Sequence, residues 1–134
     1  MMIPKLKFLL VLIFFAAASG IAIADVEFQG SIKTNDGSTF KGHVMAPTPH
    51  RDGVLRFEYQ GNPVDVKVEK ISRITRQTEG WYQIVLISGG TYPVTVENEN
   101  IYNTFSGPLI LTNDLGNVYI KPEKIEEIVI NHPQ

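Results

Sequence analysis

The sequence predicts an all-β fold: two similar five-stranded barrel-type units packed together, behind a cleavable signal peptide. A single ten-stranded β-sandwich is the alternative arrangement. Three observations carry this expectation. The stretch VEKISRI at 68–74 returns as PEKIEEI at 122–128, 54 residues on, with Glu69/Glu123, Lys70/Lys124, Ile71/Ile125 and Ile74/Ile128 identical; a recurrence of this kind marks a repeated structural unit. Apolar and polar residues alternate in short runs separated by Gly- and Pro-containing turns, the pattern of half-buried strands. No stretch after residue 24 places apolar residues at helical spacing over three turns, and Gly and Pro interrupt too often for a long helix.

Residues 1–24 read as a signal peptide. Lys5 and Lys7 precede an unbroken apolar run from Phe8 to Ala18, and Ala22-Ile23-Ala24 supplies the small-x-small cleavage pattern. The run is short beside the roughly 20 apolar residues of a membrane-spanning helix. The sequence contains no cysteine, so a lipid-anchored cysteine is excluded and no stable membrane anchor is expected after cleavage. The expected location is periplasmic or secreted.

The first unit is expected over 25–76. Val26, Phe28 and Ile32 alternate along its opening strand, and Asn35-Asp36-Gly37 is a tight-turn signal. Thr39–Val44 forms the return strand with Phe40 as a core residue, and Met45–Gly53, with its two prolines, reads as a loop. Leu55, Phe57 and Tyr59 alternate with Arg56 and Glu58, Gln60–Pro63 turns, and Val64, Val66 and Val68 alternate again. Glu69-Lys70 interrupts this strand, and the spacing of Ile71 and Ile74 suggests a one-turn 3₁₀ step. Residues 77–80 are the joint between the units.

The second unit is expected over 81–134. Trp81 opens it, Ile84 and Leu86 line one face, and Gly89-Gly90 makes the turn. Thr91–Val96 returns, with Pro93 suggesting an edge strand because proline cannot donate to a ladder. Glu97–Gly107 is the matching loop. Leu109 and Leu111, then Val118 and Ile120, form a hairpin, and Lys121–Lys124 is a second step before Ile125, Ile128 and Ile130. The front halves of the units align at a shift of 52 residues, with Ile32/Ile84, Gly37/Gly89, Thr39/Thr91 and Val44/Val96 identical. The two-residue difference between the shifts falls in the long loops, where insertions are tolerated. Units this small are expected to share an interface to bury enough surface.

The order of strand, Asp-Gly turn, strand with Gly42, loop, two alternating strands, one-turn step and final strand is similar to the SH3-like small barrels, particularly the Sm-like type. IKTNDGSTFKGHV at 32–44 and VDVKVEKISRI at 64–74 carry the resemblance, which covers most of the first unit. In the second unit Val94 stands where Gly42 would be expected. The resemblance implies a fold. Sm-like proteins bind RNA through Asp/Asn and an Arg- or Lys-Gly pair in their loops; neither set is present, nor the usual N-terminal helix, so RNA binding does not carry over.

Charge agrees. Without residues 1–24, the remaining 110 of the 134 residues keep all 14 acids and 10 of the 12 basic residues, a net charge of −4. Nucleic-acid binding, which needs a basic stripe, is not expected. His43, His50 and Met45 suggest no metal site by their placement, His132 falls in a polar tail, and the acids and amides of 97–103 follow no calcium-loop spacing. No cofactor is expected. The sequence has no Gly-x-Ser-x-Gly turn, no cysteine nucleophile, no His-Glu-x-x-His helix and no phosphate-binding glycine loop, so an enzyme is not expected. The expected function is a non-catalytic envelope module that contacts a protein or glycan through its loops. Its candidate binding residues are Trp81, Tyr102 and Phe105, with His50 and Arg51. Two aromatics in a polar loop either fold back or meet a partner. The alternative role is a structural or assembly component that acts through exposed strand edges.

Overall fold

The computed structural model describes residues 24–78, 80–96 and 104–133. The expected signal peptide up to residue 23 and Tyr102 lie outside the described residues. The chain is all-β. Its strands are β1 (Ala24–Thr34), β2 (Thr39–Thr48), β3 (Val54–Tyr59), β4 (Asn62–Lys67) and β5 (Ile71–Thr78), then β6 (Trp81–Leu86), β7 (Thr91–Thr95), β8 (Leu109–Asn113), β9 (Gly116–Ile120) and β10 (Ile125–Asn131). One-turn 3₁₀ segments at Val68–Lys70 and Pro122–Lys124 precede β5 and β10.

Period-two patterning produces the strands. In β1, Ala24, Val26, Phe28, Gly30, Ile32 and Thr34 are buried while the residues between them face outward. β2 runs further than its expected end at Val44, through Met45–Thr48. There Val44, Ala46 and Thr48 keep the inward phase, and ladder pairing with Ala24–Glu27 and β8 overrides Pro47 as a breaker. The β3–β4 turn is shorter than expected. Gln60 and Gly61 both have positive φ, 51° and 82°, the requirement of a two-residue turn whose twist matches its strands, so Asn62 and Pro63 already belong to β4. The odd spacing of Ile71 and Ile74 comes from a register irregularity between Ile71 and Arg73 opposite β6. β10 has a matching irregularity against β1, which leaves Ile125 and Ile128 buried together.

All ten strands form one antiparallel sheet in the order β4-β3-β7-β6-β5-β10-β1-β2-β8-β9, and the sheet is not closed. This differs from two barrels each built from consecutive strands. β2 borders β8 instead of β3, and β7 borders β3 instead of β8. The order reads the same from either end once each strand is exchanged for the one five places away in the chain. At its centre β5 pairs with β10, and Ile74 lies opposite Ile128. The expected joint at 77–80 overlaps β5, which runs to Thr78 and pairs with β6 from Ile71–Leu86 to Thr78–Trp81. β7 is an interior strand despite Pro93. The interleaving has a packing reason: about 50 residues bury too little apolar surface alone, whereas interleaved strands share one core. That core is one continuous cluster with residues from β1 to β10, including Ile32, Phe57, Ile71, Tyr82, Phe105, Leu111 and Ile128.

Exposed charges decorate this frame. Arg56 on β3 donates from Nε to Asp65 Oδ1 on β4 at 2.8 Å. That hydrogen bond, with the arginine charge, holds the Asp65 carboxyl below its ordinary value of 3.8. A depressed carboxyl stabilises the fold fully above 3.8, and the contribution disappears as pH falls through the lower folded value. Asp65→Asn is therefore expected to lower the thermal unfolding midpoint at neutral pH, with the gap to the parent closing in acid. Midpoints measured across the acid range test this; a gap that persists at a pH where the folded carboxyl is itself protonated would assign the loss to something other than this ion pair.

Candidate functional site

Among the described residues, an open groove of about 630 Å³ lies where the beginning of β3, the middle of β1 and the end of β10 converge. Its apolar floor is Phe28, Val54, Val68 and Ile130. Its walls carry both signs of charge: Arg51 and Lys67 against Glu27, Asp52 and Glu69, with the amides of Gln29 and Asn131 and the imidazole of His132.

Backbone hydrogen bonds hold these groups in place. The Asp25 N–H donates to Asp52 Oδ1 at 3.0 Å, and the Gly53 N–H donates to the Asp25 carbonyl at 3.0 Å. The Val68 N–H in turn donates to the Gly53 carbonyl at 2.9 Å. The 49–53 connection is thereby tied to β1 on one side and to the 3₁₀ step on the other, which presents Arg51 at the groove wall. His132, expected in a polar tail, donates from Nε2 to the Ile71 carbonyl at 2.6 Å and fastens the end of β10 across the start of β5. On the outer face of β1, Gln29 Nε2 donates to His43 Nδ1, and His43 Nε2 donates to Glu27 Oε1, both at 3.1 Å. Glu27 and Gln29 are thus held as a pair by one imidazole, and His43 acts as a cross-strand clamp.

The structure separates the residues singled out in the sequence. Arg51 lines the groove. His50 is half-buried beside it, and both lie near enough to Asp65 to favour its charged form. Trp81 is 49 % exposed at the start of β6, opposite Thr78 and Thr95, and is not a groove residue. Phe105 is 1 % exposed and belongs to the core, so it is not a surface anchor. The reason is local pinning. The Ser106 N–H donates to the Pro47 carbonyl at 2.8 Å, and the buried Thr104 hydroxyl donates to the Arg56 carbonyl at 3.2 Å. These two bonds turn the ring between them inward.

Lys67, Glu69, Gln29 and Asn131 were not singled out by sequence. Gln29 is an outward mid-strand residue, Lys67 and Asn131 end their strands and Glu69 lies in a 3₁₀ step, so each is indistinguishable in the sequence from any solvated position. Among the described residues no group of three or more His, Asp or Glu side chains is arranged to hold a metal ion. Comparison with protein-family models, with curated proteins and with solved structures found no match.

Proposed function

We propose that this chain is an exported, non-catalytic envelope module that binds an extended polypeptide segment of a protein partner in the groove beside Arg51. The observation that carries the reading is the groove's composition: an apolar floor with walls that carry both charges and two amides. An extended peptide offers matching chemistry, with apolar side chains for the floor and backbone and charged groups for the walls. A glycan would favour an exposed aromatic platform, and the only aromatic in the floor, Phe28, is buried. The leader-like segment at 1–24 supports export to the periplasm or medium.

We also read the chain as a doubled SH3-like unit. The palindromic strand order and the Ile74–Ile128 pairing at its centre support a duplication whose copies exchanged their first two strands.

A panel of mixed-charge peptides and soluble peptidoglycan fragments, titrated into labelled protein and followed by NMR, tests the binding reading. Peptide-induced shifts at Arg51, Lys67 and Glu69 are expected, with affinity falling roughly tenfold or more in Arg51→Ala/Lys67→Ala. Shifts with the glycan alone, or none in the groove, would defeat it.

A second reading, assembly through a sheet edge, has its own observation. The two edges of the sheet differ: β4 carries Pro63, Asp65 and Lys67, whereas β9 is uncharged, with Leu115 in its turn 88 % exposed and Tyr119 64 % exposed. Charge and proline protect an edge from strand addition, and β9 lacks both.

A further inference from the structure

Among the differences between the two halves of the sheet is one pair of facing residues. Gly30 on β1 lies opposite Gly42 on β2. At the shift of 52 residues the corresponding pair is Tyr82 on β6 opposite Val94 on β7. Gly42 lets β2 press against β8: a Cβ there would stand 2.2 Å from the Thr112 carbonyl oxygen. Val94 has a real Cβ at the matching place, so β7 cannot approach β3 in the same way. Pro93 beside it also has no N–H to offer a ladder. Among the described residues, β7 and β3 are joined only at Glu58–Thr95.

Beyond that pair a cavity of about 230 Å³ opens, with an entirely apolar wall. Val64 and Val66 come from β4, Ile84 and Leu86 from β6, and Val94 from β7. Tyr59 and Tyr92 complete it, their rings meeting edge-on at 5.8 Å between centroids. At the corresponding positions of the other half, Asn113 stands for Tyr59 and Thr34 for Leu86. Thr34 spends its hydroxyl on Asp36 Oδ1, at 2.6 Å. The apolar lining is thus a property of one half.

We propose that this cavity is a binding site for the hydrocarbon group of a small amphiphile. Three features define the ligand class. The wall presents no polar surface to the cavity, so a buried polar group would go unpaired at a cost, and the inserted part must be hydrocarbon. A dry apolar cavity of about 150 Å³ accepts benzene, so this volume suits about six to nine carbons, alkyl or aryl. The Tyr92 ring, 42 % exposed, stands where wall meets solvent, so the head group would remain in water beside it. The site lies apart from the Arg51 groove and does not depend on a peptide binding there.

The test uses the folded protein with neutral fluorotoluene as probe, followed by its fluorine resonance, and octanol as competitor. A broadened and shifted fluorine signal is expected with protein present, with displacement by octanol showing that an alkyl chain occupies the same space as the aryl probe. Octanol should also move the methyl resonances of Val64, Val66, Ile84, Leu86 and Val94, a readout that needs no variant. Leu86→Trp and, separately, Val66→Phe fill the space and should weaken probe binding roughly tenfold or more. Arg51→Ala/Lys67→Ala should leave it unchanged, so failure here and failure of the groove reading are distinguishable. Absence of probe binding, binding untouched by both filled variants, or octanol shifts confined to other residues would overturn the proposal.

Discussion

Gly30→Val and Gly42→Val are each expected to lower stability by about 3 kcal/mol or more, a substantial part of the whole stability of a domain this size. The two glycines face each other across β1 and β2, and each is also pressed by a third strand. A Cβ on Gly30 would stand 2.0 Å from the Val129 carbonyl oxygen of β10, and one on Gly42 would stand 2.2 Å from the Thr112 carbonyl oxygen of β8. These obstacles are backbone atoms, so no side-chain rotation relieves them. Three strands must separate, with loss of ladder hydrogen bonds and core contacts. Gly107→Ala is the matched control, because its Cβ would meet only Pro47 Cγ, at an ordinary 3.8 Å; it should change stability by less than about 0.5 kcal/mol. Denaturant unfolding of the three variants decides. A parent-like midpoint in both glycine variants would mean that the close strand approach at this crossing is not required.

Phe105→Ala is expected to cost about 3–5 kcal/mol, the range for removing a buried phenylalanine. The ring is 1 % exposed and part of the common core, although its backbone belongs to a connection between strands. Trp81→Ala should cost far less, below about 1 kcal/mol, because that ring is half in water already. The pair separates two meanings of an aromatic residue outside a strand interior. Thermal unfolding that is unchanged by Phe105→Ala, with a loss of partner binding instead, would contradict the packing described here.

The strands were legible because their cause is local. Alternation in Val26–Phe28, Leu55–Phe57 and Val64–Val66 follows from one face packing on a core, whatever strand lies alongside. The neighbour of each strand was not legible for the same reason: the inward phase of β2 is equally compatible with pairing to β3 or to β8. That choice is made by the connections after β2 and β7 and by the interleaved core, neither of which leaves a periodic trace. Val94 in place of Gly42 was visible in the sequence, but its consequence appears only beside β3. Phe105 was ambiguous because a single ring among Asn103, Thr104 and Ser106 has no period. The groove gathers residues from four distant stretches of chain, so no short motif announced it.

The pairing of β1 with β10 brings the beginning of the chain against its end, from Gln29–Asn131 to Thr34–Ile125. A ribosome delivers those partners in that order, so β1 emerges well before the strand that covers its second flank exists. Contacts between such remote stretches form slowly, because long closures must precede them. Until β10 has been made, β1 has one flank uncovered and the molecule has no finished centre.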